Sequence, residues 1–168
     1  MKPFQIGDSL QDLQPGDSNQ NLLEINKYYG KKNVVLILFP TFEKDHCESG
    51  NCCLGRIIGD FNNENVQIFG ISGKSTVTYH KLSDNMHIPV LSDQKGQIRK
   101  LLGVPSLDMG KYTRLFYDIS DQNPVRIIVV INKEGRVIYK TNTRRWNKCQ
   151  PDEGHRISLI LNKEEKTN

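Results

Sequence analysis

Apolar residues along the chain fall into short continuous runs, separated by longer segments of mixed polarity. The longest run, Val34 to Phe39, consists of β-branched and other apolar residues, and 66–72 has the same character. Such runs are typical of strands that are covered on both faces. Two later runs flank Asn132-Lys133-Glu134-Gly135, a sequence that indicates a hairpin turn. Five strands are therefore predicted, at 34–39, 66–72, 87–91, 125–131 and 136–140.

The segments between these runs carry apolar residues at helical spacing and are bounded by residues that favour helix ends. Gly30 is placed to end the first helix, and Ser75 to begin another. Ser92 or Asp93 can begin a further helix, and Pro151 opens the last one, with acidic residues in its first turn. Helices are predicted at 21–29, 52–61, 75–86, 92–102 and 151–163.

Strands and helices alternate through most of the chain, and a hairpin and a helix follow them. This order predicts an α/β fold with a mixed central sheet and helices on both faces. The chain has 168 residues, which is long enough for one domain with a substantial core. We therefore expect a single domain over residues 1–168.

Charge and composition exclude several classes of protein. The net charge of +4 is mild and evenly spread, so it does not require a nucleic-acid partner. No apolar run approaches the roughly 18 residues of a membrane helix, and the first ten residues lack the apolar stretch of a signal peptide. We expect a soluble, cytoplasmic domain that binds neither nucleic acid nor membrane.

The four cysteines are the strongest sign of chemistry. They lie at positions 47, 52, 53 and 149, so that three of them fall within seven residues. A disulfide scaffold would spread its cysteines along a short secreted chain, so the cluster points to redox chemistry or metal binding. The cluster also follows the first buried strand, at the end where open α/β sheets bind ligands.

The spacing around this cluster resembles that of the peroxiredoxins, and most closely of the peroxiredoxin Q or bacterioferritin-comigratory branch. The family motif is Pro-x-x-x-Thr-x-x-Cys, and Pro40 and Cys47 match its proline and cysteine. Cys52 lies five positions later, where this branch has its resolving cysteine. Further segments that resemble the family are FGISGKS at 69–75, IPVLSDQKGQIRKLLGV at 88–104 and the run headed by Arg126. The resemblance covers about 3–141, the expected core of the domain.

The resemblance implies a thioredoxin-like fold and a thiol-dependent reduction of hydrogen peroxide or organic hydroperoxides. Cys47 would be the nucleophile, Cys52 the resolving thiol and Arg126 the electrostatic stabiliser, while Pro40 would shield the site and shape its loop. No metal or organic cofactor is implied. The expected partners are a small peroxide and a thioredoxin-like reductant, and the expected state is a monomer or a weak homodimer.

Elementary chemistry supports these roles independently of the resemblance. A nucleophilic cysteine must be a thiolate, and the pKa of a free thiol is about 8.5, so a positive environment has to lower it. A helix N-terminus at Cys47 and the charge of Arg126 would both do so. Five positions on a straight helix separate two side chains by about 140° around its axis. A disulfide between Cys47 and Cys52 therefore requires the first turn or two to unwind, which Gly50 favours.

One position departs from the motif, because Lys44 stands where the family has a threonine. Lysine donates hydrogen bonds but accepts none, so it cannot relay a proton as a hydroxyl does. Its charge can still lower the pKa of the Cys47 thiol. Thr41 can supply the hydroxyl if the loop shifts. The alternative function is therefore a thioredoxin-like redox sensor or interaction module with weak or no peroxidase activity.

Other readings of the same residues stay open. Cys53 or Cys149 can replace Cys52 as the resolving thiol, and Arg126 can be an exposed charge without a catalytic role. A zinc site is a further alternative, although the second pair of ligands that such sites usually carry is missing from the cluster. It would use His46, Cys47, Cys52 and Cys53 and recruit His80 or His87.

Overall fold

The computed structural model of the chain describes residues 5–9, 25–38, 61, 65–72, 88–93, 98, 101–102, 126–143 and 152–167. Five strands and one long helix lie in this part of the chain. They are β1 (Asn33–Leu38), β2 (Val66–Ser72), β3 (Val90–Ser92), β4 (Arg126–Ile131), β5 (Val137–Thr143) and α1 (Asp152–Thr167). The predicted helices at 52–61 and 75–86 lie outside the described residues, except for Phe61, which is helical.

The strands form one sheet in the order β3-β2-β1-β4-β5. β1 pairs in parallel with β2, and β2 in parallel with β3. β4 is antiparallel to β1, and β5 is antiparallel to β4 through the hairpin. The sheet is therefore mixed, as the alternation of elements and the hairpin turn predicted.

β1 lies at the centre of the sheet, and all six of its residues are buried. Its side chains alternate between two apolar layers, with Val34, Leu36 and Leu38 in one layer and Val35 and Ile37 in the other. A strand with helices on both sides needs apolar residues at every position, which explains its continuous apolar run.

Helical residues contribute to both layers. Ile157 and Leu161, one turn apart on α1, join the layer of Val35 and Ile37. The helical residues Ile25, Ile98 and Leu101 join the layer of Val34 and Leu36. The α/β prediction with helices on both faces is thus confirmed.

Several boundaries differ from those predicted. β3 is shorter than 87–91 because it starts after Pro89, which has no N–H for the ladder, although its carbonyl accepts the N–H of Gly70 at 2.9 Å. β5 runs on to Thr143 because it stays paired with β4 as far as Arg126. α1 begins one residue after the predicted start and continues to Thr167 rather than ending near 163. Pairing and packing thus extend elements beyond their apolar pattern.

The hairpin between β4 and β5 is held by Asn132. Its side-chain oxygen accepts the N–H of Arg136 at 2.8 Å, and its carbonyl accepts the N–H of Gly135 at 2.9 Å. Its side-chain nitrogen donates to Glu164 of α1 at 3.1 Å. This buried residue therefore joins the turn to the end of the helix. Gly135 adopts a φ of 76°, as the predicted turn requires.

Candidate active site

The candidate site lies where β1, β2 and β3 end and β4 begins. Leu38 at the end of β1 pairs with Ile127 of β4 and with Ile71 of β2. Ser72 pairs with Ser92, so β2 and β3 end side by side. Ligands in open α/β sheets bind at this edge. The location of the cysteine cluster here stays a prediction, since the cysteines lie outside the described residues.

Arg126 is the first residue of β4, one position before the partner of Leu38. Its backbone therefore lies beside the point at which the chain leaves β1 towards the motif. Paired strands are about 4.8 Å apart, so the register brings together two segments that are 88 positions apart in sequence. On the other side of β4, Arg126 pairs with Thr143, the last residue of β5.

The other predicted site residues fall outside the described residues. These are Pro40, Lys44, Cys47 and Cys52, together with the alternatives Thr41, His46, Cys53, His80, His87 and Cys149. Among the described residues, no group of three His, Cys, Asp or Glu side chains is arranged to hold a metal ion. The zinc hypothesis therefore stays a prediction about residues beyond that part of the chain.

Phe61 is the first described residue after the cluster of Cys47, Cys52 and Cys53. Its side chain is 2% exposed and belongs to the layer that contains Val35, Ile37 and the α1 residues Ile157 and Leu161. The sequence indicated it as an apolar position of the predicted helix at 52–61. This core residue lies nine positions after Cys52 in the sequence.

Asp93 follows β3 at the same edge and is buried. Its side-chain oxygen accepts the N–H of Ile98 at 3.0 Å. The sequence left Ser92 and Asp93 as alternative residues for the start of this helix. A cap accepts the N–H two or three positions later, whereas this bond spans five positions, so both alternatives stay predictions. The carboxylate thus links the end of β3 to the backbone of Ile98.

No helix in the described part of the chain is long and apolar enough to cross a membrane.

Comparison with known proteins identifies the family. The AhpC/TSA family matches residues 6–140 of the chain. No curated protein matches it significantly.

Solved structures of peroxiredoxins share the fold. The reduced 2-Cys peroxiredoxin of Plasmodium vivax has a TM-score of 0.61 and 23% identity, covering 84% of each chain. A cysteine-to-serine mutant of PrxQ from Xylella fastidiosa has a TM-score of 0.61 and 14% identity, covering 100% of both chains. The peroxidoxin BcpB of Mycobacterium tuberculosis has a TM-score of 0.59 and 17% identity, covering 83% of this chain and 84% of its own.

At these identities the likeness to solved structures shows the fold alone, whereas the match to the family model shows which family the chain belongs to. Both agree with the resemblance that the motif around Cys47 indicated. Membership of this family supports thiol peroxidase activity in general. The chain belongs to the AhpC/TSA family and has the thioredoxin-like fold of the peroxiredoxins.

Proposed function

We propose that the chain is a thiol-dependent peroxidase that reduces hydrogen peroxide or organic hydroperoxides, with Cys47 as nucleophile and Cys52 as resolving thiol. The register between β1 and β4 is the observation that carries this proposal. It sets the backbone of Arg126 beside the end of the strand that leads to Pro40 and Cys47. A permanent cation there would stabilise both a thiolate and the oxygen that leaves it.

The proposed reaction has two steps. The Cys47 thiolate attacks one peroxide oxygen, the O–O bond breaks, and water or an alcohol leaves after taking up a proton. The Cys47 sulfenic acid then reacts with the Cys52 thiol, which forms a disulfide and releases water. A thioredoxin-like protein returns both thiols by disulfide exchange and becomes oxidised itself. No metal or organic cofactor takes part, and the chain acts as a monomer or a weak homodimer.

The test is peroxide consumption with a reductant present, for the wild type, Cys47→Ser and Cys53→Ser. Cys47→Ser should abolish turnover, because the thiolate is the nucleophile. Cys53→Ser is the matched control and should keep most of it. Equal loss in both variants would contradict the assignment. Mass mapping of oxidised peptides should find a Cys47–Cys52 bond within one chain, whereas an intermolecular bond through Cys149 would show another resolving thiol.

Lys44 supports a second candidate function, a redox sensor or interaction module with little peroxidase activity. A cation that lies close to the Cys47 thiol would lower its pKa, but a lower pKa also lowers the nucleophilicity of the thiolate. The hydroxyl of the family motif, a proton relay, is missing as well. Lys44→Thr should therefore raise both the Cys47 pKa and the rate with peroxide. If Thr41 supplies the hydroxyl instead, Lys44→Thr changes neither quantity and Thr41→Val is the damaging substitution.

Peroxide turnover also separates the two functions. A purified wild-type protein that consumes no peroxide with reductant present would support the sensor function. A separate measurement of the metal content tests the zinc hypothesis, which a stoichiometric amount of zinc would support.

A further inference from the structure

In the described part of the chain, β5 is the last strand of the sheet, and the N-terminal residues 5–9 lie along its outer edge. We call these residues the strap. The N–H of Gly7 donates to the carbonyl of Val137 at 2.7 Å, and the carbonyl of Asp8 accepts the N–H of Val137 at 3.0 Å. Both backbone hydrogen-bonding groups of Val137 therefore have their partners in the strap rather than in β4.

A tight turn gives the strap its shape. The N–H of Asp8 donates to the carbonyl of Gln5 at 3.1 Å, and Gly7, at the third position of this turn, has a φ of 96°. These are the features of a type II turn, which favours glycine at its third position and proline at its second, where Ile6 stands. The Asp8 carboxylate also accepts the N–H of Gln5 at 2.8 Å. The strap thus depends on the conformational freedom of Gly7.

The edge that the strap covers has the properties of a strand that pairs with other chains. β5 is seven residues long, contains no proline and carries one charged residue, Lys140. Such edge strands are templates for pairing unless something covers them. Val137 is 1% exposed, and without the strap its N–H and carbonyl would turn to water or to another strand. The charge of the Asp8 carboxylate also acts on Lys140, which adds to the attachment of the strap.

We propose that the strap closes the β5 edge against a second copy of this chain, whose own β5 would otherwise pair with it in antiparallel orientation. A two-fold axis lets the same edge serve both copies, which favours this occupant. The bridge between Ser9 and Arg136 is antiparallel, so an antiparallel β5 would repeat the hydrogen bonds that the strap makes to Val137. The inference does not rest on the proposed function, because no cysteine takes part in it.

The test compares proline substitutions at two adjacent positions of the strap by sedimentation velocity over a range of protein concentrations. Gly7→Pro removes the N–H that donates to Val137 and fixes φ at about −65°, so it should release the strap. The wild type should sediment as a monomer. The dimer dissociation constant of Gly7→Pro should be at least about tenfold lower than that of the wild type, because the two backbone hydrogen bonds of the strap no longer compete with pairing.

Ile6→Pro is the matched control. It introduces the same residue one position earlier, where a type II turn accepts it and where the native side chain is 63% exposed. This variant should keep the strap in place and stay monomeric. If Gly7→Pro does not fold, Gly7→Ala keeps the N–H but disfavours the φ of 96°, and it should lower the dissociation constant by a smaller factor.

Hydrogen exchange of the same samples locates the contact. In the Gly7→Pro dimer, exchange across 137–143 should slow as the protein concentration rises, because amides at the outer edge of β5 become paired. A dimer in which exchange across 137–143 is independent of concentration pairs elsewhere and would overturn the inference. So would a wild-type dimer, a monomeric Gly7→Pro, or equal association of Gly7→Pro and Ile6→Pro.

Discussion

The two ends of the central sheet differ in how their residues are brought together. At the hairpin end, Asn132 accepts hydrogen bonds from the nearby residues Gly135 and Arg136. More distant residues also contact this turn: Glu164 accepts a hydrogen bond from Asn132, Gly30 donates one to Lys133, and the Tyr29 ring lies beside Gly135. At the other end, β1, β2 and β3 finish and β4 begins, so the sheet register alone places Arg126 beside the exit of β1.

The two ends are therefore expected to contribute differently, the hairpin end to stability and the opposite end to the proposed chemistry. The hairpin end consists of contacts that hold a turn and the last helix together, and among the described residues it carries no predicted site residue. The opposite end carries Arg126 and leads into the segment with Pro40 and Cys47. Substitutions at the hairpin end should therefore change the free energy of unfolding, whereas those at the opposite end should change the rate with peroxide.

The largest effect is expected for Arg126→Ala. Loss of the cation should lower the second-order rate of Cys47 with peroxide by about 100-fold, as when one preorganised donor is removed from an active site. The matched control is Arg136→Ala at the hairpin end, an exposed residue that donates to the carbonyl of Gly7 at 3.4 Å. Stopped-flow kinetics should show a normal rate for that variant. Equal rates for both variants would remove the functional distinction between the two ends.

Gly135→Ala should be the most destabilising change at the hairpin end. Its φ of +76° disfavours any residue with a Cβ, and an added Cβ would lie 2.9 Å from Cε1 of Tyr29. We expect a loss of about 2 to 3 kcal/mol in urea unfolding. Gly30→Ala is the control, since it has a φ of +70° but nothing within 4 Å, and should lose about 1 kcal/mol. Equal losses would mean that the Tyr29 contact contributes nothing.

Asn132→Ala should lower stability by about 1 to 2 kcal/mol, because it removes hydrogen bonds to both Arg136 and Glu164. Glu164→Gln keeps an acceptor for Asn132 and should stay within about 0.5 kcal/mol of the wild type. Peroxide consumption should be unchanged in both variants. A slower rate in Asn132→Ala would show that the hairpin end influences the chemistry.

The smallest effect is expected for Tyr29→Phe. The Tyr29 hydroxyl is buried and has no hydrogen-bond partner within the described part of the chain, so its removal should stabilise the protein by up to about 1 kcal/mol at neutral pH.

The pH dependence of the stability provides a second test of the Tyr29 hydroxyl. Burial raises the pKa of Tyr29 from 10.0 to about 12. The unfolded chain therefore loses its phenolic proton first as the pH rises, and wild-type stability should fall between pH 10 and pH 12. Unfolding curves of Tyr29→Phe should lack this part of the fall. Parallel pH dependences would contradict the burial of the phenol.

The pKa of Lys140, on β5, is shifted in the opposite direction to that of Tyr29. Burial lowers the pKa of its ammonium group, although the charge of Asp8 opposes the shift. Charged groups that are partly desolvated thus also lie away from the candidate site, and a shifted pKa alone does not identify chemistry in this fold.

Local sequence was sufficient to predict the strands around 34–39, 66–72 and 125–131 and the turn at Asn132-Lys133-Glu134-Gly135. It was also sufficient to indicate Pro40, Cys47 and Cys52 as a peroxiredoxin-like motif, because these residues lie within thirteen positions of one another. Such patterns reflect burial, turn geometry and reactivity, which depend on near neighbours in the chain. The same patterns misjudged the ends of β3, β5 and α1, where pairing and packing decide.

Only the tertiary structure decided the order of the strands, and with it the position of Arg126 beside the end of β1. Phe61 and Asn132 illustrate the same limit. An apolar residue in a predicted helix and a polar residue in a predicted turn have no visible partners in the sequence. Their roles come from α1, which packs against both only after the chain has folded. Long-range pairing and packing arise from the summed burial of distant segments, and no local pattern encodes that sum.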